Sequence, residues 1–136
     1  MKKAKFALLI DDEAFLLESI KSKLKENSVE TFSARNCEQA RRLLEVTQPD
    51  LIFTKTALPD GTWLDVLRMA ERAPAPVNVI VVGSSENTDL YLSALVNGAF
   101  DFITPPFESE RLGLILRTAT EDIRHRREAL ALKTCA

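Results

Sequence analysis

The sequence predicts an α/β fold in which one parallel sheet lies between two layers of helices. Three observations lead there. Short apolar runs alternate with amphipathic helical stretches along the whole chain. The strongest runs, Phe6-Ala7-Leu8-Leu9-Ile10 and Val79-Ile80-Val81-Val82, are apolar at every position, as strands covered on both faces are. The length of 136 residues and the 46% hydrophobic content fit one domain of ordinary size with a real core.

Each element follows in order. The first run ends in Asp11-Asp12. Phe15, Leu16, Ile20 and Leu24 then recur at helical spacing with Lys and Glu between them, and Asn27-Ser28 breaks that helix. Residues 29–34 alternate and form a weaker strand. Asn36 is placed to cap a second helix carrying Ala40, Leu43 and Leu44. Pro49-Asp50 stops the chain before a third apolar strand, Leu51-Ile52-Phe53-Thr54. Leu58-Pro59-Asp60-Gly61 is a turn by composition, and Trp63, Val66, Leu67 and Ala70 mark a third helix. Ala73-Pro74-Ala75-Pro76 is a rigid connector to the fourth strand, residues 79–82, which Gly83-Ser84-Ser85 leaves. A fourth helix with Leu90, Ala94 and Leu95 ends at Asn97-Gly98, an apt carboxyl cap. Phe102-Ile103 is a short fifth strand. After Pro105-Pro106 the last helix begins near Ser109 and runs past Arg117 into the charged stretch Arg124-His125-Arg126-Arg127, read as a solvated helix face or the start of a linker. The domain is therefore drawn at residues 1–123, with 124–136 as a helical extension or linker. Right-handed crossovers connect the strands.

Composition narrows the function classes. Eighteen basic and 20 acidic residues, net charge −2, give no global attraction to nucleic acid or an anionic membrane. No segment approaches the ~20 apolar residues of a membrane-spanning helix. The basic start and the brief apolar run after it do not make a signal peptide. Cys37 and Cys135 are read as two reduced thiols, in keeping with a cytoplasmic protein. No Gly-rich phosphate loop is present, no nucleophile is paired with a base, and the single histidine, His125, lies in the tail, so an enzyme is not expected.

Ligands of open parallel sheets gather at the carboxyl ends of the strands. Those ends hold Asp11, Asp12 and Glu13; Lys55 and Thr56; Gly83, Ser84 and Ser85; and Thr104, Pro105 and Pro106. Crowded hard oxygens such as Asp11 and Asp12 suit Mg²⁺. The plainer alternative is that one of them caps the first helix. Lys55 follows an apolar strand, so its ammonium is expected in the same mouth, in an ion pair with Asp11 or Asp12.

In order and spacing, these motifs resemble the receiver domains of two-component response regulators from Phe6 to about Ile123. The carriers are Leu9-Ile10-Asp11-Asp12-Glu13; Pro49-Asp50 with the strand after it and Leu58-Pro59-Asp60-Gly61; and Gly98-Ala99-Phe100-Asp101-Phe102-Ile103-Thr104-Pro105-Pro106-Phe107. The resemblance implies a flavodoxin-like, doubly wound (βα)5 fold with strand order 2-1-3-4-5. It matches Asp11 and Asp12 to the family's metal-binding acids and Ala57 to the residue whose carbonyl completes the metal site. Lys55 stands where the phosphorylated aspartate should be. Gly83 stands at the switch Thr/Ser, with Ser84 one residue off; Phe102 stands at the aromatic switch; Pro105 replaces a lysine. The step before Pro106 is expected to be cis.

The chemistry departs where it matters. Acyl phosphate formation needs a carboxylate nucleophile beside a bound metal. A protonated lysine is a poor nucleophile and repels Mg²⁺ from the acids. The expectation is therefore an atypical pseudo-receiver in phosphorelay signalling that regulates through protein contacts without aspartyl phosphate. No cofactor is expected, and Mg²⁺ binding is weak at best. The expected partners are a histidine kinase or an output protein or domain, with a homodimer possible through the fourth helix, fifth strand and fifth helix. Tyr91 and Leu92 are the candidate contacts on that face. Nucleic acid would be reached only through a further output domain. The alternatives are a phospho-receiver that uses Asp60, or a small-molecule-binding α/β module.

Overall fold

The computed structural model describes residues 5–13 and 17–135. The strands are β1 (Lys5–Ile10), β2 (Val29–Ala34), β3 (Leu51–Lys55), β4 (Ala57–Leu58), β5 (Gly61–Thr62), β6 (Asn78–Val82) and β7 (Asp101–Ile103). The helices are α1 (Glu18–Glu26), α2 (Cys37–Thr47), α3 (Trp63–Glu71), α4 (Thr88–Val96) and α5 (Ser109–Cys135). The main sheet has the order β2-β1-β3-β6-β7, parallel throughout. Leaving aside the β4-β5 ribbon, that is the doubly wound order expected from the resemblance.

Side chains alternate across each strand, so a uniformly apolar strand feeds two cores. Leu8, Ile10, Ile52, Val79 and Val81 point to one face, where Ala40 and Leu44 of α2 and Val66 and Leu67 of α3 cover them. Ala7, Leu9, Leu51, Phe53, Ile80 and Val82 point to the other, against Ile20 and Leu24 of α1 and Leu112, Ile115, Leu116 and Ala119 of α5. Buried on both sides, β6 has no exposed position.

The caps explain where helices begin and end. Asn36 accepts the Gln39 N–H at 2.8 Å and starts α2, as expected. Thr62 and Asp65 form a reciprocal capping box at α3. Asn27 closes α1, and Ser28 follows it at φ 61°. At the end of α4, Ala99 N–H reaches back to the Ala94 carbonyl and Gly98 N–H to Leu95, a turn that places Gly98 at φ 103°. Phe15 and Leu16, assigned to the first helix by spacing, lie outside the described residues, and so does the side chain of Cys135.

The turn expected at residues 58–61 is present and closes a two-residue antiparallel ribbon, Ala57↔Thr62 and Leu58↔Gly61. One local reading changes. The charged tail is not simply a solvated face. The chain passes residue 123 without a break in α5, and Arg126 and Arg127 turn back to the amino-terminal end of the sheet. Their partners, Asn78 at the start of β6 and Asp50 just before β3, are distant in sequence, where local periodicity cannot reveal them.

Candidate functional site

The carboxyl ends of β1 and β3 form an acidic mouth with one lysine in it. Asp11 continues the line of β1, donating its N–H to the Ala34 carbonyl at 3.0 Å. Its buried carboxylate accepts two backbone amides, Glu13 at 3.0 Å and Leu17, the first residue before α1, at 3.3 Å. Asp11 thus ties the end of β1 to the approach to α1, although no side chain caps that helix.

Asp12 faces Lys55. β3 is buried through Thr54, and Lys55 is its first residue to reach solvent. Its Nζ donates to Asp12 Oδ1 at 2.9 Å, with side-chain exposures of 26% and 28%. The expected ion pair is therefore made to Asp12 rather than to Asp11. The Lys55 hydrogen bond holds the Asp12 carboxyl below the usual carboxylate range. The same bond raises the Lys55 ammonium, with the charges of Asp12, Glu13 and Asp11 adding to it against partial desolvation.

This pair makes the stability depend on pH in a defined window. A lowered Asp12 contributes above its unfolded pKa, and that contribution fades as pH falls through the folded value. A raised Lys55 contributes below its unfolded pKa and fades as pH rises through the folded value. Thermal melts of the parent and a Lys55→Met variant should differ most between about pH 5 and 9 and converge at both extremes. A difference that persists unchanged at pH 3 would show that the pair is not its source.

Arg35, just past the end of β2, donates Nη2 to the Asp12 carbonyl at 3.3 Å. Sequence reasoning missed it because the survey of strand ends passed over the edge strand β2. The signal was present: a cation one residue beyond a strand that pairs with β1. Ala57 is exposed at the start of β4, and the neighbouring Thr56 carbonyl accepts the Trp63 N–H at 3.1 Å.

The remaining positions form a second cluster. Gly83 leaves β6 and donates its N–H to the Ile103 carbonyl at 2.9 Å. A Cβ on Gly83 would lie 2.6 Å from Phe102 Cζ and 3.2 Å from Cε2. The Phe102 ring therefore fills the volume a side chain at 83 would need. It is buried and meets Tyr91 edge-on, with centroids 6.3 Å apart and planes at 84°. Ser84 is exposed one step further along. Pro105 is exposed, and the Pro105–Pro106 peptide is cis, the isomer expected. On α4, Tyr91, Leu92 and Val96 are all exposed.

Asp60 is occupied elsewhere. Its oxygens accept the N–H groups of Cys37 at 2.7 Å and Glu38 at 3.1 Å, the first turn of α2, and the Cys37 bond leads in lowering its carboxyl. Burial and this carboxylate push the Cys37 thiol up to about 11, so it stays protonated and unreactive.

Asp11 is committed to amides and Asp12 to an ammonium. Among the described residues no three His, Cys, Asp or Glu side chains converge to hold a metal.

Residues 7–131 match the family model of the response regulator receiver domain. The chain belongs to that family. It is 35% identical over 113 residues to the response regulator protein PilR of Pseudomonas aeruginosa, covering 83% of this chain and 25% of PilR. It is 28% identical over 106 residues to the chemotaxis protein CheY of Bacillus subtilis, covering 77% of this chain and 88% of CheY. NtrX from Brucella abortus, solved in complex with ADP, superposes with a TM-score of 0.77 at 27% identity. That match covers 96% of this chain and 29% of NtrX. The chain thus spans about a quarter of the length of the curated PilR and NtrX relatives. As a receiver domain it belongs to the signalling modules of two-component systems. No helix among the described residues is long and apolar enough to cross a membrane.

Proposed function

We propose that this receiver domain signals without an aspartyl phosphate, with Lys55 as a built-in cation at the acceptor position. The observation that carries the reading is the 2.9 Å Lys55–Asp12 ion pair. An ammonium there supplies positive charge to the mouth without metal or phosphoryl group. It also removes the nucleophile that phosphoryl transfer requires. Two further substitutions support the reading. Gly83 brings no hydroxyl, and Pro105 brings no ammonium, to the positions where the resemblance places them. Asp60 gives little support to an alternative acceptor, because both its oxygens are engaged by amides that weaken it as a nucleophile.

Output then depends on contacts. Tyr91, Leu92 and Val96 give α4 an apolar outer surface beside β7, suited to a histidine kinase, an output domain or a second copy of this chain. The domain acts in the cytoplasm, where two-component partners meet their receivers.

Intact-mass spectrometry after incubation with Mg²⁺ and a small-molecule phosphodonor tests the central claim. No phosphoryl adduct is expected at any aspartate. A stoichiometric, acid-stable and hydroxylamine-labile adduct on Asp11, Asp12 or Asp60 would overturn the proposal.

A further inference from the structure

The last turns of α5 are fastened at the opposite end of the sheet from the acidic mouth, by a different kind of contact from the rest of the helix. Upstream, Leu112, Ile115, Leu116, Ala119 and Ile123 bury one apolar stripe. Ile123 is the last buried position of α5 among the described residues; Leu130 and Leu132 beyond it are 48% and 73% exposed. Between them the contacts to the body are polar and centre on two arginines.

Arg127 uses its whole guanidinium. Nε donates to the Pro76 carbonyl at 3.0 Å, Nη1 to Asp50 Oδ1 at 3.0 Å and Nη2 to the Pro49 carbonyl at 2.8 Å. The other oxygen of Asp50 accepts the Phe6 N–H at 3.0 Å, so this one carboxylate ties β1 to the helix. Arg126 donates to Asn78 Oδ1 at 2.8 Å, and Asn78 Nδ2 donates to the Ala119 carbonyl at 2.9 Å and to Asp122 Oδ2 at 3.0 Å. The cluster grips the amino ends of β1, β3 and β6, the three central strands.

We propose that Arg127 is a latch that decides whether the end of α5 is docked or released. The rigid three-way fork matches acceptors from two separate loops, a fit a single flexible ammonium cannot copy. Residues 124–135 number about a dozen, a length at which a helix without tertiary support is marginal in water. With the latch closed, the helix leaves the sheet in one fixed direction. With it open, the segment carrying Leu130 and Leu132 frays from the body while the two cores keep their packing, because α5 adds nothing to either of them past Ala119. The device lies apart from the Lys55 mouth and stands whether or not that site is phosphorylated.

Hydrogen exchange by mass spectrometry on the whole chain tests it, using Arg127→Met, Arg127→Lys and Asp50→Asn. In Arg127→Met, peptides over residues 125–133 are expected to exchange at least about tenfold faster, with β1, β3 and β6 changed less than about twofold. Arg127→Lys should fall between parent and Arg127→Met. Asp50→Asn keeps an acceptor for Phe6 and should speed the same peptides by a smaller factor. Unchanged exchange over 125–133 in Arg127→Met overturns the proposal. A uniform acceleration throughout the chain does so equally, because the arginine would then fasten the whole fold rather than one end of a helix.

Discussion

Replacing Lys55 with aspartate is expected to raise Mg²⁺ affinity at least roughly tenfold, while restoring phosphorylation only in part. The substitution removes a positive charge from the mouth and adds a negative one, so both changes favour a divalent ion. It also frees Asp12 Oδ1, now held by the ammonium at 2.9 Å, and gives Asp11 and Asp12 a third carboxylate at the end of β3. A nucleophile then stands beside a metal site, the minimum for acyl phosphate formation. Turnover stays incomplete because the rest of the machinery is not repaired. Position 83 offers no hydroxyl to the phosphoryl group, and position 105 is a proline with no charge to offer. Lys55→Met separates the contributions: with the cation gone and no acid added, Mg²⁺ affinity should rise less and no phosphoryl adduct should form. Calorimetric titration and intact mass read the two effects. If Lys55→Asp binds Mg²⁺ no better than the parent, the ammonium is not what excludes the ion.

The route from sequence to this site was open because topology does what local pattern cannot. Lys55 and Asp12 are 43 residues apart, yet each lies just past or at the end of an apolar run, and a parallel sheet brings those ends to one edge. β1, β3 and β6 were legible because burial on both faces gives each an unbroken apolar run, at residues 6–10, 51–53 and 79–82. Asn36 was legible as a cap because its bond spans three residues. What stayed hidden depends on contacts that no local period encodes. Asp60 holds the start of α2 across 23 residues, and in composition it is only part of a turn. Arg127 meets Asp50 across 77 residues, so its stretch of charge looked solvated when read along the helix. Choosing Asp12 over Asp11 as the partner of Lys55 required knowing that the Asp11 oxygens were already taken by Glu13 and Leu17 amides.

Gly83→Ala is expected to destabilise the fold by about 1–3 kcal/mol, although it adds one methyl group at the end of a strand. The new Cβ would lie 2.6 Å from Phe102 Cζ, nearer than carbon atoms tolerate, and the ring has little room to retreat. It is 4% exposed, with Tyr91 edge-on against it. The ring must swing outward past Tyr91, giving up buried apolar area, or the β6–β7 pairing must loosen at the Gly83–Ile103 bond. For a domain of this size the melting temperature should fall by roughly 4–12 °C. The same displacement should disturb the apolar face of α4, so partner binding through Tyr91 and Leu92 is expected to weaken in step with stability. Phe102→Leu supplies the decisive comparison. Alone it opens a cavity and costs stability; combined with Gly83→Ala it makes room for the methyl, so the double variant should be more stable than the sum of the single changes predicts. Strict additivity would mean that glycine is required at position 83 for its backbone rather than for the aromatic ring that fills its side-chain space.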